Sequence, residues 1–297
     1  MREPALIRML PDGRRMHLHD GPIDLIVEAH GSRGSVAAGY EAAARRLVSI
    51  LDELCSELPL LRSGVTTGSE EPSGTIARRM HAAVLPYSEA GFITPMAAVA
   101  GSVAEEILAT MIGVADLDRA YVNNGGDIAI QLGGGQHYTI GMVERPDRPS
   151  LFGSFEIFDR DSIRGIATSG WRGRSFSLGI ADAVTVLAES ASKADAAATV
   201  IANAVNLPGH PGITRVPARE ISPDSDLGDL LVTREVGKLT AFEIEEALDS
   251  GTHLAASLRE RGLIHSAALC LQGQIRVVSS AQEPALLDTA TRSLVHA

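Results

Sequence analysis

Asp195 and Thr199 stand four residues apart, and Asn203 and Asn206 continue the same spacing. On a helix these positions share one face. The residues between them are mostly alanine, valine and isoleucine, so the helix belongs in a protein interior. Polar groups carried inside need partners, because burying them alone costs free energy. Those partners are other side chains, a metal ion or a ligand. A carboxylate and a hydroxyl one turn apart offer oxygen ligands to Mg²⁺, which takes one or two carboxylates and fills its shell with phosphate and water oxygens. The plainer reading is a capping box, in which Ser192 caps the helix and Asp195 points back to its start.

Two further segments carry chemistry. Thr168-Ser169-Gly170-Trp171-Arg172-Gly173-Arg174-Ser175 combines hydroxyls, glycines and two arginines after a strand. Exposed amides and guanidinium groups suit phosphate oxygens, and Trp171 can cover a flat ring. The alternative is a solvated turn. Val122-Asn123-Asn124-Gly125-Gly126-Asp127-Ile128 reads first as a tight hairpin, where Asn and Gly allow positive φ. That accounts for the glycines but not for both asparagines. Nine histidines are present, none between His137 and His210, and no pair has zinc spacing. His17 and His19 share a strand face. No nucleophile elbow, Walker loop or dinucleotide fingerprint is found.

The elements that must position these residues follow from pattern. A strand pair is expected over 14–29, turning at Asp20-Gly21-Pro22, and a helix over 36–55. Residues 62–75 read as a loop, and 76–84 as a strand or a short helix. Thr94-Pro95 opens a helix that runs to Ile112 and stops at Gly113, with Thr94 as its cap. Gly101 inside it costs about 1 kcal/mol against alanine, which a close approach by another backbone or a ligand would explain. Strands are expected at 119–122, 128–132, 138–143, 154–158, 163–167, 183–188 and 231–236. A helix at 240–260 and a strand pair at 265–279 close the chain. Helices mixed with antiparallel strands indicate α+β.

The 297 residues are 45% hydrophobic, enough for one large domain or two smaller ones. Aromatics are only 4%, so the core relies on small aliphatic packing. A net charge of -11 speaks against nucleic-acid binding. Cys55 and Cys270 read as two buried thiols in a reducing compartment. No secretion signal, lipoprotein cysteine or membrane span is seen, so a cytoplasmic protein with no membrane partner is expected.

Three segments together resemble the ApbE family, FAD-dependent protein FMN transferases. Asn123–Ile128 is similar to its N-x-G-G-D-[IV] segment, Ile166–Gly170 to its A-T-S-G segment, and Ala194–Thr199 to its A-D-A-x-x-T segment. Ala98–Glu105 matches more weakly the family's A-K-G helix start. Gly21–Leu25, Ile93–Gly101 and Gly170–Leu187 look closer still to an ApbE-related family of unsettled chemistry. The resemblance implies one ApbE-like domain over 1–297, built of duplicated T-fold-like lobes with a ligand cleft between them. The lobes would be about 1–115 with part of the C-terminal third, and about 116–206. It also implies Mg²⁺ at Asp195 and Thr199, and FAD held near Asn123, Asn124, Gly125, Gly126, Asp127, Thr168, Ser169, Gly170, Arg172 and Arg174. A protein threonine would be the acceptor.

Two departures weaken the reaction. The family's histidine-containing segment is missing between Trp171 and Asp182, and Ala100 stands where the lysine would be. Loss of that histidine removes general-base help worth roughly 10²–10⁴-fold. Three functions are therefore weighed. The first is a Mg²⁺-dependent enzyme that cleaves the FAD pyrophosphate, passing FMN to a protein threonine or to water. The second is a small-molecule enzyme of pterin- or folate-like cofactor synthesis on the same scaffold, a reading by fold analogy. The third is a non-catalytic flavin carrier. No catalytic residue is assigned. The alanine-rich helices pack either within one chain or across a homodimer.

Overall fold

Strands β1 (Leu6–Met9), β2 (Met16–Asp20) and β3 (Ile23–Gly31) open the chain, followed by helices α1 (Arg33–Ser56), α2 (Leu58–Leu61), α3 (Thr75–Val84) and α4 (Val99–Ile112). Next come β4 (Leu117–Asn124), β5 (Asp127–Leu132), β6 (His137–Val143), β7 (Leu151–Phe158), β8 (Gly165–Ser169) and β9 (Ala183–Ala188), then α5 (Ala191–Ala204). The last third holds β10 (Ile213–Pro217), α6 (Ala218–Ile221), β11 (Leu231–Val236), α7 (Ala241–Glu260), β12 (Ser266–Leu271), β13 (Gln274–Val278) and β14 (Leu287–Asp288). This is a computed structural model, and it describes residues 4–89, 91–143, 151–279 and 287–288. Mixed helices and antiparallel strand pairs make it α+β, as the pattern indicates.

The chain divides into two compact units. The first comprises Met1–Gln136, Ser162–Ala167 and Leu187–Ala197. In it β1, β2, β3, β4 and β5 lie side by side in that order, each antiparallel to the next. Alternate residues of β2 and β3 are buried: Met16 and Leu18, then Ile23, Leu25, Val27 and Ala29. That period of two gives the sheet one core face. Helices α1 and α4 pack on it through Leu47, Ile50, Val103, Ile107 and Met111. Gly21 closes the β2–β3 turn at φ +58, and a Cβ there would meet the Leu51 side chain at 2.8 Å.

The second unit comprises His137–Asp161, Thr168–Val186 and Ala198–Ala297. Here β12 pairs with β13, β10 with β11 and β6 with β7, all antiparallel. Helix α7 packs on β12 and β13. Its start is a complete capping box: Thr240 Oγ1 accepts from Glu243 N–H, and the Glu243 carboxylate accepts from Thr240 N–H at 2.7 Å. Gly251 lets the helix lie close to Val205 and Leu269, where a Cβ would meet side-chain carbons at 2.4 and 2.8 Å.

Of the strand or short helix left open at 76–84, the structure has the helix, Thr75–Val84, with Ile76, Ala77, Met80 and Val84 buried on one side. Other local expectations are corrected. Thr94 makes no side-chain cap bond. Pro95 instead starts a 3₁₀ turn, Pro95–Ala98, in which the Thr94 carbonyl accepts from Ala97 N–H at 3.1 Å, and α4 begins only at Val99. Cys55 is exposed, since Leu54 is the residue that α1 turns inward; Cys270 is buried. Strands β1 and β10 were not expected. Among the described residues one stretch, Pro95–Ile112, is long and apolar enough to cross a membrane, and half of it is buried within the protein.

Candidate functional site

The β4–β5 hairpin, the start of α4 and the start of α5 meet in the first unit. Asn124 pairs with Asp127 across the hairpin, leaving Gly125 and Gly126 at the turn with φ of 67° and 117°. The two asparagines do different work. Asn123 Oδ1 accepts from Gly126 N–H at 2.8 Å and closes the turn. Asn124 is buried, and its Nδ2 donates to the Ala100 carbonyl at 3.1 Å. The turn alone therefore accounts for Asn123, while Asn124 ties the hairpin to the first turn of α4.

Asp195 approaches the same turn from α5. Its Oδ2 accepts from Gly101 N–H at 2.9 Å. A helix N-terminus leaves amides free for such an acceptor. Gly101 is there because α5 arrives so closely: a Cβ would lie 2.3 Å from the Ala191 carbonyl oxygen. Another backbone explains the glycine. Asp195 thus reaches across to α4 rather than back to Ser192, and the expected capping box does not form. Ser192 N–H instead donates to Glu105 Oε1 at 2.6 Å. Glu105 also pairs with Arg79 (Nε–Oε2 3.1 Å), Arg79 with Glu106 (3.2 Å) and Glu106 with Arg46 (2.8 Å).

Burial pushes the Asp195 carboxyl well above the usual carboxylate range, and the negative charges of Asp127 and Glu105 push the same way. The amides of Gly101 and Ala100 act against this without cancelling it. A buried carboxylate pressed by like charge holds either a proton or a cation. The donors in the first unit are oxygens, the Asp195 and Asp127 carboxylates. Thr199, half-buried one turn further along α5, falls in the second unit. Oxygen donors with net negative charge suit a hard divalent cation. The donor set therefore fits Mg²⁺.

Thr168, Ser169, Gly170, Arg172 and Arg174 lie in the second unit, organised around a different aspartate. Asp182 Oδ1 accepts from Arg172 Nε at 2.6 Å and from Trp171 Nε1 at 3.2 Å, and Oδ2 accepts from Gln272 N–H at 2.6 Å. The Arg172 guanidinium lies over the Trp171 ring at 4.2 Å. Thr168 and Thr185 share a hydroxyl hydrogen bond of 2.9 Å. Gly170 sits where a Cβ would meet the Asp182 carbonyl oxygen at 2.5 Å. Arg174 is exposed. The rest of the polar stripe is also partnered here: Asn203 Oδ1 accepts from Ser177 Oγ and Leu178 N–H, and Asn206 Nδ2 donates to the Leu178 carbonyl.

The structure therefore brings Asn124, Asp127 and Asp195 together at the start of α4, and gathers Arg172 and Trp171 at Asp182. Glu105 and Arg79 escaped sequence reasoning. The signal for Glu105 was its place one helical turn after Gly101. Arg79 carried none, since it comes from α3 and only the fold brings it there.

A family model described as AbpE bacteria matches residues 7–277. The chain belongs to that family. The UPF0280 protein of Methanopyrus kandleri is 33% identical over 173 residues, 58% of this chain and 66% of its own length. The UPF0280 protein of Methanococcus maripaludis is 43% identical over 124 residues, 39% of this chain and 48% of its own. The chain thus spans less than two thirds of the length of these curated relatives. Among solved structures, the apo form of the flavinyl transferase ApbE from Pseudomonas stutzeri aligns over 95% of both chains at 12% identity, with a TM-score of 0.42.

Proposed function

We propose that this member of the AbpE bacteria family is a Mg²⁺-dependent enzyme acting on the pyrophosphate of a flavin dinucleotide. The observation that carries the reading is the buried Asp195, held by the Gly101 amide and pressed by the charge of Asp127. Asp195 and Asp127 would hold the ion, with Thr199 as the hydroxyl ligand that the ApbE resemblance implies. When bound, Mg²⁺ supplies charge neutralisation on the pyrophosphate oxygens.

The remaining work falls to the protein's own groups. Asn124 fixes the Ala100–Gly101 backbone, so the amide that meets Asp195 keeps its direction. The Gly125-Gly126 turn offers backbone close to Asp127 with no side chain in the way. In the reaction, the FMN phosphorus would gain an oxygen from a threonine hydroxyl or from water, whose proton passes to solvent, while the phosphoanhydride bond breaks and AMP leaves. The family histidine is missing, so turnover is expected to be slow by roughly 10²–10⁴-fold against an enzyme with a general base.

The test is a calorimetric titration of the metal-free protein with FAD, with and without Mg²⁺, followed by assay for AMP and FMN. Mg²⁺-dependent binding that is lost in Asp195→Asn supports the reading. FAD binding indifferent to Mg²⁺ and to Asp195→Asn, or no FAD binding at all, refutes it.

A further inference from the structure

We infer that the β2–β3 hairpin carries a second metal site, made by His17, His19 and Asp24, for a borderline divalent ion such as Zn²⁺ or Co²⁺. His17 Nε2 lies 2.6 Å from Asp24 Oδ1, and His19 Nδ1 lies 3.8 Å from the same oxygen. One ligand atom from each residue falls within 4.8 Å of the other two. Ligands on a tetrahedral zinc ion at about 2.0–2.1 Å stand roughly 3.4 Å apart, so small side-chain rotations complete the geometry. Imidazole nitrogens select Zn²⁺, Co²⁺, Ni²⁺ or Cu²⁺ over Mg²⁺. Three protein ligands leave a position open to water or a small ligand.

The scaffold is rigid. His19 pairs directly with Asp24, and the flanking pair Leu18–Leu25 is fully buried. The two-residue turn at Gly21-Pro22 fixes the register, and sites on strands hold their geometry better than sites on loops. This site is separate from the carboxylate pair. Leu25 pairs with Asn124, and both are buried on the core face; His17, His19 and Asp24 alternate to the opposite face. Spacing along the chain concealed it, because the third ligand comes from the neighbouring strand.

Arg8, on β1, donates from Nε to His17 Nδ1 at 3.3 Å. That contact requires a bare Nδ1 and a proton on Nε2. Metal capture at Nε2 places the proton on Nδ1 and displaces Arg8, an exposed residue at the sheet edge. Arg8 therefore opposes metal binding.

The experiment titrates Co²⁺ into tag-free, metal-free protein, reading its visible absorption, with Zn²⁺ then used to displace it. One equivalent with the intense bands of a low-coordinate site is expected. His19→Ala and Asp24→Ala each weaken binding by more than about tenfold, Arg8→Gln tightens it, and Asp195→Asn leaves it unchanged. Absence of these bands, or bands that persist in the His19→Ala/Asp24→Ala double variant, overturns the site. Both positions are about half exposed, so the variants should keep the fold, which circular dichroism checks.

Discussion

Two buried aspartates organise this molecule, and their partners differ. Asp182 meets a guanidinium, an indole N–H and a backbone amide. Asp195 meets a backbone amide while Asp127 and Glu105 press on it with like charge. Both follow from the same rule, that a buried carboxylate must be answered. Asp182 is answered inside the protein, by a cation only ten residues away in the chain. Asp195 is answered in part, which leaves a demand that a proton or an external cation fills. A satisfied buried charge is architecture, whereas one left short of positive charge is a place for chemistry.

The sharpest way to break the comparison is to remove each carboxylate. Asp182→Ala leaves Arg172, Trp171 and the Gln272 amide without their acceptor. Removing one partner of such a buried network costs on the order of 3 kcal/mol. Urea unfolding should show that loss at neutral pH. The destabilised protein, refolded below its midpoint, should still bind Mg²⁺. A stability change within experimental error would mean that Asp182 is solvated and that the contrast between the two sites is false.

Asp195 should behave in the opposite sense. Its carboxyl is raised in the folded protein, so the folded state holds a proton that the unfolded chain has already released. Stability from this group is present below the ordinary carboxylate range, near pH 4, and is lost as pH rises through the folded value. The slope is at most about 1.4 kcal/mol per pH unit. Glu53, Glu57 and Glu243 are lowered and contribute with the opposite sign, so the informative quantity is the difference between the wild type and Asp195→Asn. The variant should gain on the wild type as pH rises, and saturating Mg²⁺ should remove the wild type's slope. Parallel stability curves for the two proteins would mean that neither burial nor the charge of Asp127 raises the Asp195 carboxyl.

What was legible in the sequence divides along physical lines. Helix α5 could be read from its polar stripe, and strands β9 and β11 from short runs rich in β-branched residues, although neither strand alternates in burial. The polar stripe on α5 could be seen, and so could its need for partners. The partners could not, because Gly101 and Ser177 reach it only through long-range packing. The capping box read at Ser192–Asp195 fails because α5 already starts at Ala191, so Ser192 lies inside the helix, Ser190 Oγ accepts from Lys193 N–H, and the Asp195 carboxylate goes to the Gly101 amide. The box at Thr240–Glu243 forms even though the Glu243 carboxylate also meets His210 Nε2 at 2.9 Å. Strand β1 escaped because it is exposed on both faces and shows no alternation. The glycine at 101 points to a close approach by a backbone or a ligand, and the structure supplies the backbone.

The smallest effect separates the two asparagines of the β4–β5 hairpin. Asn123→Ala removes one hydrogen bond at a half-buried turn, and stability should fall by about 1 kcal/mol or less. The glycines keep the turn's φ values, so metal affinity should hold. Asn124→Ala removes a buried donor and leaves the Ala100 carbonyl without it, at a cost of roughly 1–2 kcal/mol. The larger consequence concerns direction. The Ala100–Gly101 peptide then loses the contact that fixes it, and the amide facing Asp195 becomes free to tilt. Mg²⁺ affinity, read by calorimetry, should fall in Asn124→Ala and stay within twofold of wild type in Asn123→Ala. Equal affinities in the two variants would mean that the first turn of α4 holds its own orientation. Asn124 would then be a packing residue, and the Gly101–Asp195 contact would depend on α4 and α5 alone.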